Sequence, residues 1–360
     1  MRPLHLHCGL HKTGTTALQS ALSSASRLLR SHGILYPRSG TPEGTVAQHN
    51  LAWEMTRDRR FAPEHGGVDA LLAEIGAFEG RVVLSSEDFE GALLRPALWR
   101  GLLEQTSRAG YAPTLVVYLR EPVAYLESLY VEILKHGYGG EYLLAAHAVL
   151  EHGVLTFADW VFCFDYPRIV RALRSLDGVA TIFRDYGNLV GGDVLVDFSH
   201  VLGIAPSILA AVDPEHANAR DDIATSLALF ARNRGWNWQD WNAPRALMQA
   251  AAFLCADWRI RLETSSALRD ALHTRLPSNV GLLDEPVFSP DATTAADDSG
   301  RSPATVERID IARFFSEETF LTLRQVAAMP QGPGDRRATW IRAVDLRSRW
   351  RERVRVRDTA

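Results

Sequence analysis

Cysteine is scarce in this chain. Among 360 residues only Cys8, Cys163 and Cys255 occur, far apart and with no CxxC pair. That pattern excludes a disulfide framework and a thiolate zinc site, and a reducing, cytoplasmic setting is expected. Long apolar runs are also lacking. The N-terminus enters a short strand-like stretch, Leu4 to Cys8, without the hydrophobic length of a signal peptide, and no later run approaches a transmembrane segment. A surplus of charge of one sign is missing too, since the formal net charge is only -4. Nothing in the totals attracts nucleic acid, so none is expected as a partner, and any anion site has to come from local clustering of Lys and Arg.

With 46% apolar and 23% charged residues, the chain has enough apolar material for a full core, as one large domain or two smaller ones. Leu4 to Cys8 leads through a Gly/Thr-rich turn into a stretch, Ala17 to Ser31, whose apolar residues recur at helical spacing. Arg81 to Leu84, Thr114 to Leu119 and Val179 to Phe183 have the continuous apolar character of buried parallel strands, and helical patterns follow the first two. Strands separated by helices predict right-handed crossovers, a mostly parallel sheet flanked by helices, and ligands at the carboxyl ends of the strands. This α/β core is expected over residues 1–205, a mainly helical extension over 206–330 and an Arg-rich tail over 331–360. Asp291 to Pro303 reads as a surface loop or linker. In the tail, Leu346, Trp350 and Val354 recur every four positions, as in a basic amphipathic helix.

The segment Gly9-Leu10-His11-Lys12-Thr13-Gly14-Thr15-Thr16 lies between strand and helix, where backbone N–H groups and the helix dipole attract an oxyanion. A nucleoside triphosphatase loop reads GxxxxGK[ST]; here Gly9 and Gly14 keep the separation, but Thr15 stands where the Lys belongs. The lysine, Lys12, comes three places earlier, which suits a donor group on a single 5′-phosphate and no γ-phosphate. Helix capping by the Thr cluster is the plainer alternative. A metal site on His5, His7 and His11 is a further one, but the later strand ends supply no additional ligands and no metal is expected.

A second candidate anion site follows the third strand. In Tyr118-Leu119-Arg120-Glu121-Pro122 the Arg stands at a carboxyl edge and Pro122 suits the first turn of a helix; Ser128 comes eight residues after Arg120. "GLHKTGTT" after a short strand resembles the 5′-phosphosulfate loop of the sulfotransferase family, particularly its bacterial branch. "YLREPVAYLESLY" resembles that family's 3′-phosphate motif, with both residues in register. The resemblance extends loosely to about Gly203; the late Gly-rich basic segment of animal cytosolic members is absent. It implies a P-loop-like three-layer sandwich and transfer of a sulfonate group from 3′-phosphoadenosine 5′-phosphosulfate to a hydroxyl or amine acceptor, carbohydrate or glycolipid among them. On this reading His11, Lys12, Thr13, Gly14, Thr15, Thr16, Arg120 and Ser128 hold the donor, and no metal takes part.

In-line displacement at sulfur builds negative charge on the bridging oxygen of the departing nucleotide, and Lys12 is placed to stabilise it. The acceptor's proton needs a base. Glu87, just past the second strand in "VVLSSEDFE", is the first candidate and His49 in "AQHN" the second. Glu87 reads equally as part of a capped helix start behind Ser85 or Ser86. Trp236, Trp238 and Trp241 are a candidate sugar-stacking group or plain core. The basic tail is a candidate for peripheral membrane or partner contact, or simply a solvated helix. A nucleotide kinase or phosphotransferase on the same skeleton, and a non-catalytic nucleotide-binding member of the fold, are the competing functions.

Overall fold

The computed structural model describes residues 1–210, 222–235, 243–276, 306–329 and 336–356. The Trp236, Trp238 and Trp241 group and the expected linker Asp291 to Pro303 lie outside the described residues. In chain order the strands are β1 (Arg2–His7), β2 (Ile34–Leu35), β3 (Arg81–Ser85), β4 (Tyr111–Leu119), β5 (Val154–Phe157), β6 (Trp160–Cys163), β7 (Ala180–Asp185), β8 (Ile260–Glu263) and β9 (Glu307–Asp310). The chain divides into two compact units. The first comprises Met1–Pro122, Gly153–Asn218 and Leu276–Ala295; the second comprises Val123–His152, Ala219–Arg275 and Ala296–Ala360. The segment Val123–His152 groups with the second unit.

The first unit holds a five-stranded sheet, order β2-β3-β1-β4-β7, with every neighbouring pair parallel. Both faces are buried, and the register says how. His7, Ser85 and Val116 are aligned across β1, β3 and β4, and Leu6, Leu84 and Leu115 form the next row, on the opposite face. On the first face Val83, Val116 and Tyr118 pack with Leu18, Leu22 and Leu29 of helices Thr15–Ser24 and Ser26–Ser31, and with Phe198 and Leu202 of helix Val194–Leu202. On the second face Leu6, Val82, Leu84, Leu115 and Val117 are fully buried. Strands apolar on both faces have to be covered on both sides, which gives the layered α/β arrangement.

The expected single helix Ala17 to Ser31 is two, broken at Ala25, whose ψ of 4° leaves the helical region. Helix Val194–Leu202 is tied to the sheet by the buried Asp197. Its carboxylate accepts from Tyr118 Oη at 2.6 Å, Arg184 Nε at 2.9 Å and the Val190 N–H at 3.0 Å. A buried charge needs that many partners to be tolerated. An antiparallel hairpin, β5–β6, completes the unit.

The second unit is mainly helical, with a parallel pair β8–β9. Its core is aromatic: the Tyr130 ring lies 5.2 Å from Tyr142 and 5.1 Å from Phe315, and Phe314 lies 5.5 Å from Trp350. The Arg-rich tail is helix Arg336–Val354, packed into this core rather than solvated on all sides. Trp350 and Val354 are buried, and Trp350 Nε1 donates to Thr319 Oγ1 at 2.9 Å. Arg347 and Arg351 donate to the carbonyls of Phe253 and Leu254 at the end of helix Ala243–Cys255, where a helix leaves its last carbonyls without internal partners. Those apolar side chains are thus committed to the unit's own core and are not offered to a membrane. Among the described residues no helix is long and apolar enough to cross one.

Candidate functional site

The turn after β1 lies over the carboxyl ends of β1 and β4. The Cys8 N–H donates to the Val116 carbonyl at 2.8 Å and the Leu10 N–H to the Tyr118 carbonyl at 3.1 Å, extending the ladder by two bonds past the strand. The chain then turns sharply: Lys12 has φ of 65° and Gly14 φ of 73°, both left-handed. For a lysine this conformation costs on the order of 1 kcal/mol, so something must hold it. Thr13 Oγ1 donates to the Leu10 carbonyl at 2.6 Å inside the turn, and Arg120 Nη1 donates to the Lys12 carbonyl at 2.9 Å.

Both glycines have a steric reason. A Cβ on Gly9 would stand 2.8 Å from His7 Nε2 and 2.8 Å from Thr13 Oγ1; one on Gly14 would stand 3.2 Å from Tyr186 and Val194. Gly14 is the N-cap of helix Thr15–Ser24 and supplies no side-chain cap, and the first turn carries no acidic residue. The helix therefore begins with N–H groups to which no capping side chain is offered, the arrangement that suits an oxyanion. Thr13 and Thr15 are buried, Thr16 is exposed, and Lys12 is half-buried. Of the 39 basic residues only Lys12 and Lys135 are lysines. A chain that otherwise uses Arg keeps a compact ammonium in this turn, a signal the sequence offered and the motif reading did not use.

Arg120 directly follows β4. Its carbonyl accepts from Tyr166 Oη at 2.6 Å, and its guanidinium carbon lies 5.8 Å from the Tyr186 ring centre. The two cations singled out in the sequence are thus at one edge of one sheet, joined through the Lys12 backbone. Ser128 sits in the second turn of helix Pro122–Lys135, half-buried, within the second unit.

The 3₁₀ segment Glu87–Ala92 follows β3 and carries three carboxylates with different partners. Of the two readings open at Glu87, the cap belongs to Ser86, whose Oγ accepts the Asp88 N–H at 3.2 Å; the Glu87 carboxylate itself accepts from Gln19 Nε2 at 2.6 Å. Asp88 accepts from Trp53 Nε1 at 2.7 Å and Trp160 Nε1 at 3.2 Å, and lies 3.3 Å from His49 Nδ1. The Arg60 guanidinium lies over both indoles, 4.8 Å from Trp53 and 4.9 Å from Trp160, while the His49 ring stacks on Trp53. Glu90, fully buried, accepts from the His11 N–H at 3.0 Å, His11 Nδ1 at 2.8 Å and the Cys163 N–H at 2.6 Å. The ring of His11 is turned onto Glu90, with its Nε2 3.8 Å from Asp88.

These partners set the protonation states. Burial works against a charged His11, but the hydrogen bond and charge of Glu90, with Glu87 and Asp88, outweigh it and push its pKa up to about 9. His49 follows the same logic: burial opposes the charge, yet the hydrogen bond to Asp88 and the charges of Glu87 and Asp88 raise it above the ordinary value. His7, by contrast, is buried under the turn with Nδ1 on Ser85 Oγ at 2.8 Å and Nε2 without a partner; burial takes its pKa down to about 4 although Glu87 pulls the other way. Glu87 thus acts on two imidazoles shifted toward the charged form, His11 and His49, and on one shifted toward the neutral form, His7. Among the described residues no group of three His, Cys, Asp or Glu is arranged to hold a metal.

Sequence reasoning missed Glu90, Asp88, Trp53 and Trp160. Glu90 is separated from His11 by 79 residues, and a carboxylate in "SSEDFEG" carries no sign of which one will be buried.

No protein-family model and no curated protein sequence matches this chain. A solved structure from work titled "Molecular and structural characterization of the PezAT chromosomal toxin-antitoxin system of the human pathogen Streptococcus pneumoniae" is similar over 51% of this chain and 68% of that one, at 13% identity and a TM-score of 0.29. Likeness at that level carries no argument about function.

Proposed function

We propose that the chain is a sulfotransferase with a P-loop-like nucleotide fold, transferring a sulfonate group from 3′-phosphoadenosine 5′-phosphosulfate to a hydroxyl or amine acceptor. The observation that carries this reading is the joining of the Lys12 turn to Arg120 at the carboxyl edge of two adjacent parallel strands, through the 2.9 Å bond to the Lys12 carbonyl. In the order β2-β3-β1-β4-β7 the chain leaves β1 toward one side of the sheet and β4 toward the other. Ligands of open α/β sheets bind at such a switch point. A left-handed turn, an uncapped helix start and a lysine suit one phosphate and its sulfonate; an arginine hydrogen-bonded to the same turn suits a second phosphate.

On this reading the acceptor oxygen or nitrogen forms a bond to sulfur on the side opposite the bridging oxygen. The bond from sulfur to that oxygen breaks, and its electron pair stays on the 5′-phosphate of the nucleotide. Lys12 and the first-turn N–H groups neutralise the charge that develops there. The acceptor's proton passes to Glu87, with Gln19 holding the carboxylate at 2.6 Å. Glu87 fits this task better than His49, because the contact with Asp88 favours the protonated, non-basic form of His49. The fold, the turn and the carboxylate fit the donor; the acceptor is best sought among hydroxylated carbohydrates and glycolipids, as the family resemblance implies.

Calorimetric titration with 3′-phosphoadenosine 5′-phosphate, with and without Lys12→Ala and Arg120→Ala, tests the reading. Micromolar binding is expected, weakened chiefly by Arg120→Ala and little by Lys12→Ala. Magnesium-dependent binding of ATP with no affinity for the bisphosphate would replace it with a phosphotransferase.

A further inference from the structure

Glu90 is the most completely buried charge near the turn, and three donors converge on it: the His11 N–H, His11 Nδ1 and the Cys163 N–H. The first two belong to the residue directly before Lys12, the third to β6. An acid placed this way does two things at once. It removes the His11 N–H from the set that faces an anion, leaving that work to the N–H groups of the following residues. It also fixes the residue from which the left-handed turn at Lys12 departs.

The charges make the same point. A buried carboxylate beside an anion-binding turn would repel the anion unless a cation cancelled it. His11 is that cation, in direct contact with Glu90. The other groups facing His11 are Asp88 and Glu87 from the 3₁₀ segment, His49 from helix His49–Thr56, and the ring of Phe162 from β6, edge-on at 5.1 Å. Asp88 is already matched by two indole N–H groups, His49 and Arg60. Glu90 is in direct contact with His11, so loss of the His11 proton makes the charge of this pair, next to Lys12, more negative by one unit.

We propose that Glu90 is the positioning residue of this turn: through His11 it sets both the backbone entering Lys12 and the amount of negative charge beside the bound anion. The inference rests on the proposed nucleotide reading only for the identity of that anion.

The test is the affinity of inorganic pyrophosphate and, separately, of 3′-phosphoadenosine 5′-phosphate, measured by calorimetry from pH 7 to 10 for the unmodified protein, Glu90→Gln and His11→Gln. Ratios of variant to unmodified protein cancel the titration of the phosphates. The unmodified protein should lose affinity through about pH 9, where His11 deprotonates. In Glu90→Gln the inflection should move toward the ordinary histidine value of 6.5, leaving affinity nearly flat from pH 8 to 10, because a neutral Gln beside a neutral His11 carries the same zero charge as the Glu90–His11 ion pair and no carboxylate is left to be uncovered. In His11→Gln, which keeps a donor for Glu90 but does not titrate, the inflection should vanish, so the test survives if Glu90→Gln does not fold. An inflection unmoved in Glu90→Gln or persisting in His11→Gln, or no inflection in the unmodified protein, overturns the proposal. If pyrophosphate shows the dependence and the bisphosphate binds no more tightly, the positioning role stands and the nucleotide reading falls. If neither anion binds, both fall.

Discussion

The side chain of Arg120, the residue after β4, donates to the backbone carbonyl of Lys12, in the turn after β1, at 2.9 Å. A guanidinium that braces a left-handed lysine serves the turn's shape as well as any ligand's charge. Arg120→Lys keeps the charge and loses the planar fork. Nucleotide affinity should fall about 10- to 100-fold, the scale of one charge-assisted hydrogen bond. A calorimetric titration that finds affinity unchanged removes Arg120 from the site.

Lys12→Ala should act on a different quantity. If Lys12 stabilises the departing nucleotide, kcat should drop by about 10²-fold or more while KM changes little. Steady-state kinetics on the donor, with any accepted acceptor, separates the two; a change confined to KM would make Lys12 a binding residue only.

The turn's glycines predict a stability contrast that needs no ligand. Gly14→Ala forces a Cβ into a left-handed residue and against Tyr186 and Val194, and Gly9→Ala forces one against His7 and Thr13. Each should cost about 1–3 kcal/mol in urea unfolding. Gly101, inside helix Pro96–Arg108, has nothing within 4 Å of a Cβ, and Gly101→Ala should stabilise by about 0.5–1 kcal/mol. Equal effects at Gly101 and Gly14 would mean the turn is not strained as described.

How much of this was legible follows from what each feature depends on. β3 and β4 were readable because a strand buried on both faces is apolar almost without interruption, and Leu115 to Leu119 shows that by itself; β1 was readable from Leu4 to Cys8 despite its two histidines, and β7 from Val179 to Phe183 although none of its residues is fully buried. The pairing of the Lys12 turn with Arg120 was readable because both follow strands, and a parallel sheet puts all such ends on one edge. β2, two residues long, and the hairpin β5–β6, with four-residue strands, are too short for periodicity to register. Glu90, Asp88 and their partners depend on contacts across tens of residues. In the Arg-rich tail the four-residue recurrence of apolar residues was legible and Trp350 and Val354 are buried, whereas the role of Arg347 and Arg351 on carbonyls of another helix was not, because it depends on contacts some hundred residues away.

His7 and Asp185 predict opposite pH slopes in stability. His7 is depressed to about 4 by burial, so below its ordinary value of 6.5 the unfolded chain takes up a proton that the folded one refuses. Stability is lost as pH falls from 6.5 to 4, by up to roughly 3 kcal/mol. Asp185 is raised to about 6, chiefly by burial, so its contribution is present below 3.8 and lost as pH rises through 6. Asp185→Asn should therefore raise the unfolding midpoint at pH 7.5 and leave it unchanged at pH 3.5; His7→Gln should flatten the acid limb. Urea titrations at pH steps from 3.5 to 7.5 read both, and an Asp185→Asn effect that is the same at both ends would assign the change to packing.

Glu87 and His49 are separated by what each can do at a given pH. His49, whose protonated form is favoured by Asp88, gains basic character only as pH rises above its raised value. If Glu87 takes the acceptor's proton, Glu87→Gln should leave the affinity for 3′-phosphoadenosine 5′-phosphate within about twofold and lower kcat by roughly 10²- to 10⁴-fold. His49→Gln should then keep most of the turnover at pH 7. Were His49 the base, turnover would climb with pH across the range where it loses its proton, His49→Gln would abolish that climb, and Glu87→Gln would retain activity. The pH profiles of kcat for the two variants therefore assign the role without requiring the natural acceptor, since any hydroxylated compound that is turned over reports the same proton transfer.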